Sequence, residues 1–263
     1  MHLPALWLVL LLVLPSNARK KIRRPSPEES GKLFEGDIVL PEEEEELLED
    51  GEASAGIIGS HYRWAQATIV PYLFGNDFNS SELKILTDAM VEISEKTCIR
   101  FRRRKGDSNY IFFRDGEGCS SLVGRRGTVI HELVHAIGFW HEQSRTDRDY
   151  YVTINLDYVP KENRHNFDKY TTQQAYDFGV PYDFDSVMHY PNWAFVNEEG
   201  LWKGAKSIVP EISGVKIGQR THLSRWDALK INRMYECPER IPVTTTTTES
   251  SWRNLLSLLF LRR

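Results

Sequence analysis

Once its first eighteen residues are set aside, the 263-residue chain has no apolar run near the roughly 20 residues that a membrane-spanning helix needs. No further membrane-spanning helix is therefore expected, and a membrane is not the favoured partner. Charge of one sign is also lacking: the formal net charge is −4 and the positive charges are scattered along the chain. That excludes a basic face for nucleic acid, and no polybasic lipid-binding patch stands out. Cysteine is scarce, with only Cys98, Cys119 and Cys237, and an odd count leaves one of them without a partner inside the chain.

At the N-terminus stands MHLPALWLVLLLVLPSNA, an apolar stretch followed by Pro15, the small residues Ser16 and Ala18, and the basic cluster Arg19-Lys20-Lys21. This pattern reads as a cleavable signal peptide over residues 1–18. Secretion follows from it, to the extracellular space or a secretory vesicle. In that oxidising setting the cysteines read as disulfide formers rather than metal ligands.

Residues 19–54 are rich in Lys, Arg, Pro, Glu and Ser and contain the run Glu42 to Glu46. Like charges at this density repel, so the segment reads as a solvated tether with one apolar island, Phe34-Glu35-Gly36-Asp37-Ile38. Beyond Cys237-Pro238 a threonine run, Thr244 to Thr248, opens a tail over 239–263 that has no core-forming capacity. Its last residues are apolar but too few to span a membrane.

Between these flanks lies enough chain for one domain with a real core, over residues 55–238. Ala67 to Phe74, Cys98 to Phe101 and Tyr110 to Phe113 carry the branched and aromatic residues that suit strands, the last two separated by a charged turn. Leu83, Leu86, Met90 and Ile93 recur at helical spacing, with Ser80 or Ser81 as the cap. Asn79-Ser80-Ser81 also fits a glycosylation sequon. Near the end, Ser224 and Asp227 form a capping pair for a helix through Trp226, Leu229 and Met234.

The chemistry is carried by residues 128–141, TVIHELVHAIGFWH. Four residues apart, His131 and His135 lie one above the other on a helix face, so both rings can reach a single ion at about 2.0 Å. Val129, Ile130, Val134 and Ile137 supply the apolar residues that bury the rest of that helix. Glu132 sits beside the first ligand, placed as a general base for a water that zinc makes acidic. Gly138 permits a sharp turn that brings His141 round as a third ligand. The extended pattern His-Glu-x-x-His-x-x-Gly-x-x-His is far more specific than its first five positions.

From His131 to Asn155, HELVHAIGFWHEQSRTDRDYYVTIN resembles the zinc signature of the astacin family of metzincin proteases, including its hatching-enzyme-like members. Ser186-Val187-Met188-His189-Tyr190 is similar to that family's Met-turn. The resemblance covers about residues 33–238 and implies an α+β fold: a twisted sheet packed with the first helix and the zinc helix, a cleft across the metal and a less regular C-terminal half.

It implies that Met188 lies beneath the zinc site and that Tyr190 supplies a hydroxyl that ligates the ion at rest and then stabilises the oxyanion. His61, His165, His189 and His222 match no ligand position. The island around Asp37 is similar to the family's pro-segment motif, which implies a zymogen over residues 19–54 in which Asp37 ligates zinc. A new N-terminus near Ala55 would then be buried close to Glu142. No Arg or Lys immediately precedes that boundary, so the activating protease is not marked as trypsin-like.

One further departure concerns Gly118 to Arg125, which resembles a family segment followed by an edge strand, a loop and the partner of Cys119. Here Arg126 and Gly127 lead straight into the zinc helix. By the resemblance Cys98 pairs with Cys237, and the partner of Cys119 belonged to the missing stretch. The leading expectation is a monomeric, secreted, zinc-dependent endopeptidase, one ion per domain, acting on protein or peptide substrates. The alternative is a zinc-binding but catalytically weak protein that acts by binding, because an edge strand is where an extended peptide is gripped.

Overall fold

The computed structural model describes residues 63–64, 68–76, 78–114, 126–171 and 177–238. The signal peptide, Asp37, the acidic run, the boundary at Ala55, His61, Cys119 and the threonine-rich tail lie outside the described residues. Among the described residues, no helix is long and apolar enough to cross a membrane.

The first strand, β1, runs Ile69–Phe74 and is followed by helix α1, Ser80–Lys96. Asn79 caps α1, its side chain accepting from the backbone N–H groups of Ser81 and Glu82, while Glu82 reaches back to the N–H of Asn79 at 2.8 Å. The sequence reading placed this cap one or two residues late. A reciprocal box between Asn79 and the third helical residue satisfies two orphan donors, which a serine cap at either later position would not.

Two short strands follow, β2 at Arg100–Arg103 and β3 at Ile111–Phe113. Although consecutive in sequence they are not neighbours: both pair with β1 in parallel, in the order β2-β1-β3. Parallel pairing requires a crossover, and α1 supplies it between β1 and β2. The strand β2 also gathers Arg100, Arg102, Arg103, Arg104 and Lys105 on one edge of the sheet and its turn, a local exception to the scatter of positive charge. At the opposite edge β3 is the outermost strand among the described residues.

The zinc helix, α2, runs Arg126–Ala136. It packs on α1, and its Ile130, Leu133 and Val134, with Ile137 just past its end, share one core with Leu86, Ala89, Met90 and Ile93 of α1 and Val70, Ile111 and Phe113 of the strands. Each of the Val, Leu, Ile, Met and Phe side chains among them contributes about 1.5 to 3 kcal/mol on burial. The C-terminal half holds a two-stranded antiparallel pair, β4 (Val152–Ile154) with β5 (Ile208–Pro210), a short helix α3 (Glu198–Trp202), and α4 (Arg225–Met234). A second, more aromatic cluster forms there from Phe167, Tyr182, Tyr190, Phe195 and Ile208. Met188 belongs to the first cluster and Tyr190 to the second, so the segment 186–190 bridges the two cores.

Helix α4 begins with the expected capping box between Ser224 and Asp227. Its end is tied to the start of β2 by the Cys98–Cys237 disulfide, which closes a sequence separation of 139 residues. For a loop of that size the cross-link contributes about 4 to 5 kcal/mol in the chain-entropy account.

Gly127 shows how closely α2 enters this frame. A Cβ there would lie 2.0 Å from the backbone carbon of Arg220. Alanine in a helix ordinarily gains up to about 1 kcal/mol over glycine. Here the sign should reverse: Gly127→Ala is expected to destabilise the domain by about 3 kcal/mol through backbone displacement, read as a lowered denaturant midpoint. An unchanged or raised midpoint would refute the close approach.

Candidate metal centre and active site

Gly138 takes φ +102°, a region open to glycine, and the chain leaves α2 there. His141 is thereby carried back towards His131 and His135, and the three rings converge. The Nε2 of His131 lies 3.2 Å from that of His135 and 3.3 Å from that of His141. Nitrogens bound tetrahedrally to zinc at about 2.05 Å would stand about 3.3 Å apart, so the donor set fits the ion in number, type and spacing.

The outer ring atoms reinforce this. His131 Nδ1 lies 2.8 Å from the carbonyl oxygen of Val187, and His135 Nδ1 lies 2.6 Å from that of Phe139. A carbonyl can only accept, so each Nδ1 carries the proton and each Nε2 presents its lone pair to the centre. Glu132, the neighbour of His131 on α2, is buried.

The segment 186–190 comes to this centre across a separation of 56 residues between His131 and Val187. Besides the Val187 carbonyl on His131, the Met188 carbonyl accepts from the N–H of Glu142 at 3.1 Å. Tyr190 is fully buried, its ring centroid 4.3 Å from that of His141. The structure thus brings His131, Glu132, His135, His141, Met188 and Tyr190 together. Asp37, outside the described residues, is not placed.

Among the described residues, His165, His189 and His222 stand apart from the three ring nitrogens. His189 is buried between the Tyr182 hydroxyl at 2.7 Å and the Tyr190 carbonyl at 2.8 Å, and burial lowers its pKa to about 4, so the ring is neutral. His222 pairs with Asp185 at the surface, and His165 is exposed.

Three supporting residues escaped the sequence reading. Gln143 accepts the Tyr190 N–H at 2.9 Å and so fixes the backbone that carries the ring. Asp227, recognised only as a helix cap, also accepts from the Ser186 hydroxyl at 2.6 Å and the Val187 N–H at 2.9 Å. Lys230 pairs with buried Glu142. The spacing of Ser224 and Asp227 marked the cap, but nothing local marks a carboxylate that also grips a turn 40 residues earlier.

Asp183, whose N–H donates to Glu142, sits beside this network with its carboxylate accepting from the Ser224 hydroxyl. Burial raises its pKa to about 6, with the charges of Asp227 and Glu142 adding and the Ser224 hydroxyl opposing. The folded state therefore holds a proton that the unfolded chain releases near pH 3.8. The contribution of this group to stability is largest below that pH and is lost as pH rises through about 6. Relative to Asp183→Asn, the natural chain should lose on the order of 2 kcal/mol between pH 4 and 7. Parallel denaturation curves for the two proteins across that window would contradict the assignment.

Residues 57–236 match the family model for astacin, a family of peptidases. Meprin A subunit beta of Rattus norvegicus is 38% identical over 224 residues, covering 78% of this chain and 29% of that protein. Zinc metalloproteinase nas-13 of Caenorhabditis elegans is 39% identical over 210 residues, covering 74% of this chain and 45% of that protein. Among solved structures, high choriolytic enzyme 1, a hatching-enzyme zinc protease of Oryzias latipes, superposes with a TM-score of 0.60 at 34% identity, covering 67% of this chain and 94% of the other. The chain spans less than half the length of the first two relatives. With the α+β fold and the three converging histidines, these likenesses identify the chain as a member of the astacin family.

Proposed function

We propose that this chain is a secreted zinc endopeptidase, made as a zymogen, in which His131, His135 and His141 hold the ion. The observation that carries the reading is the convergence of three Nε2 atoms, two of them tautomerically fixed by backbone carbonyls, beside a buried glutamate. Bound zinc would supply Lewis acidity towards the scissile carbonyl and lower the pKa of a coordinated water towards about 7.

The protein's own groups do the rest. Glu132 takes the proton from the attacking water and passes it to the leaving amine. Tyr190, anchored by Gln143 and packed on His141, would supply its hydroxyl to the oxyanion and would be a further ligand for the ion at rest. The carbonyls of Val187 and Phe139 hold the ligand rings through both steps.

Asp37, on the acidic tether, is assigned as the group that occupies the open metal position before the pro-segment over 19–54 is removed, since zinc accepts a carboxylate oxygen. Signal peptide cleavage after Ala18 and release as a monomer complete the reading. Substrates are proteins or peptides met outside the cell or in a vesicle, and a separate protease cuts near Ala55.

Zinc analysis of the purified, processed chain should return one ion per molecule. A quenched peptide should be cleaved, with activity lost to a chelator and regained on adding zinc. Bound zinc without cleavage would overturn the enzyme reading in favour of a zinc-binding protein that acts by association. That second reading rests on one observation: α2 starts directly at Arg126, and β3 is the outermost described strand on that side of the sheet.

A further inference from the structure

Only β1 pairs with β2 among the described residues, so β2 forms one edge of the sheet. Arg100 and Arg104 donate their N–H groups inward to Thr68 and Tyr72. Alternation then turns the backbone of Phe101 and Arg103 outward. Over positions 100–107 this edge carries five cations against one carboxylate, Asp107, which pairs with Arg102. Arg100 bonds backbone carbonyls, and Arg104 bonds the carbonyl of Asp107 while stacking 3.9 Å over Tyr110, so neither charge is neutralised by these contacts. Arg103, Arg104 and Lys105 are exposed.

Beside the strand opens a groove between α1 and the sheet, lined by Tyr72, Met90, Val91, Ser94, Arg100 and Phe101, with Glu95 its acidic member. Among the described residues the surface thus offers a strand edge unpaired by another strand, with the Arg103 carbonyl accepting from the Arg102 guanidinium at 3.2 Å, beside a cluster of cations and a partly apolar trough.

We propose that the segment Glu42–Glu52 of this same chain docks on β2 and this groove, with Glu42 to Glu46 facing Arg103, Arg104 and Lys105 and the pair Leu47-Leu48 entering the trough. Charge complementarity selects the occupant: positions 42–52 hold eight carboxylates and no cation. The leucine pair follows the acidic run directly, as the trough adjoins the basic edge. Trp64, whose indole N–H donates to the Ala136 carbonyl at 2.9 Å, is separated from Leu48 by fifteen residues, enough for about 50 Å of extended chain. One exposed ion pair contributes little, but several charges along an added strand act together. Docking rests on the reading of residues 19–54 as a segment retained before activation, and it gives that segment a hold on the domain separate from Asp37.

The test uses the full-length chain carrying Glu132→Gln to prevent self-cleavage. Zero-length carboxyl–amine cross-linking should join Lys105 to Glu42–Glu46. Chymotryptic cutting at Leu47 and Leu48 should be at least tenfold slower than in the charge-reversed Arg103→Glu/Arg104→Glu/Lys105→Glu form, and should quicken in high salt. Adding Glu44→Arg/Glu45→Arg/Glu46→Arg to that form should restore protection.

Equal cutting rates, or a charge swap that restores nothing, would overturn the proposal. So would loss of binding to a sulfated-glycan resin in the charge-reversed form with cutting unchanged, which would give the surface to an external polyanion. If the charge-reversed form misfolds, the absence of the cross-link in the Glu132→Gln chain decides against docking by itself. None of these readouts needs a working active site, so an inert zinc centre would leave the test standing.

Discussion

Replacing Glu132 by glutamine should lower peptide hydrolysis by a factor of 10² to 10⁴, the usual contribution of a positioned general base, while the bound zinc stays at one ion per chain. Glutamine keeps the size and hydrogen-bonding reach of the side chain but cannot hold the proton taken from water. The three ring nitrogens are untouched, and the carbonyls of Val187 and Phe139 still set the tautomers of His131 and His135. Metal content and turnover should therefore separate in this variant. In His135→Ala they should fall together, since a ligand is removed. Measuring both quantities on both variants distinguishes a base from a ligand, and hydrolysis undiminished in Glu132→Gln would remove Glu132 from the chemistry.

How much of this was legible in the sequence follows from the range over which each contact acts. His131, Glu132, His135, Gly138 and His141 lie within eleven residues, and helix geometry plus one glycine turn is enough to bring the rings together. The capping box of α4 was legible for the same reason, and the cap of α1 was misplaced only by the competition between Asn79 and its serine neighbours. Tyr190 could be assigned only by resemblance. Its place beside His141 depends on Gln143 and Asp227 holding a turn from two directions, and neither contact leaves a periodic trace. Sheet order was likewise hidden, because strands read one at a time do not say that β2 and β3 both choose β1. The basic edge appeared only once β2 was placed at the rim of the sheet.

Lys230 shows what a buried charge costs when its partner is removed. Glu142 follows the third histidine and is buried, with one oxygen accepting from the N–H of Asp183 at 2.9 Å and from Arg145 at 3.4 Å, and the other paired with Lys230. Burial pushes the Glu142 carboxyl upward, but the charges of Lys230 and Arg145 outweigh it, and its pKa lies below the usual value. Arg145 is itself committed to Asp147 by two bonds of 2.9 and 2.8 Å, so it cannot replace the lysine. Lys230→Met is therefore expected to cost about 3 to 5 kcal/mol, the range for a buried pair deprived of one partner. For a domain of this size that lowers the melting temperature on the order of 10 °C. Adding Glu142→Gln should recover most of the loss, because the amide oxygen still accepts from Asp183 while the buried charge that Arg145 alone would have to balance is gone. A single variant as stable as the natural chain, or a double variant no better than the single, would show that the pair is not what holds Glu142. The result also bears on the proposed maturation. In that proposal a new N-terminus would lie near Glu142, yet the carboxylate is already matched by Lys230 and Arg145, so an arriving ammonium would have to share or displace the lysine rather than fill an empty place.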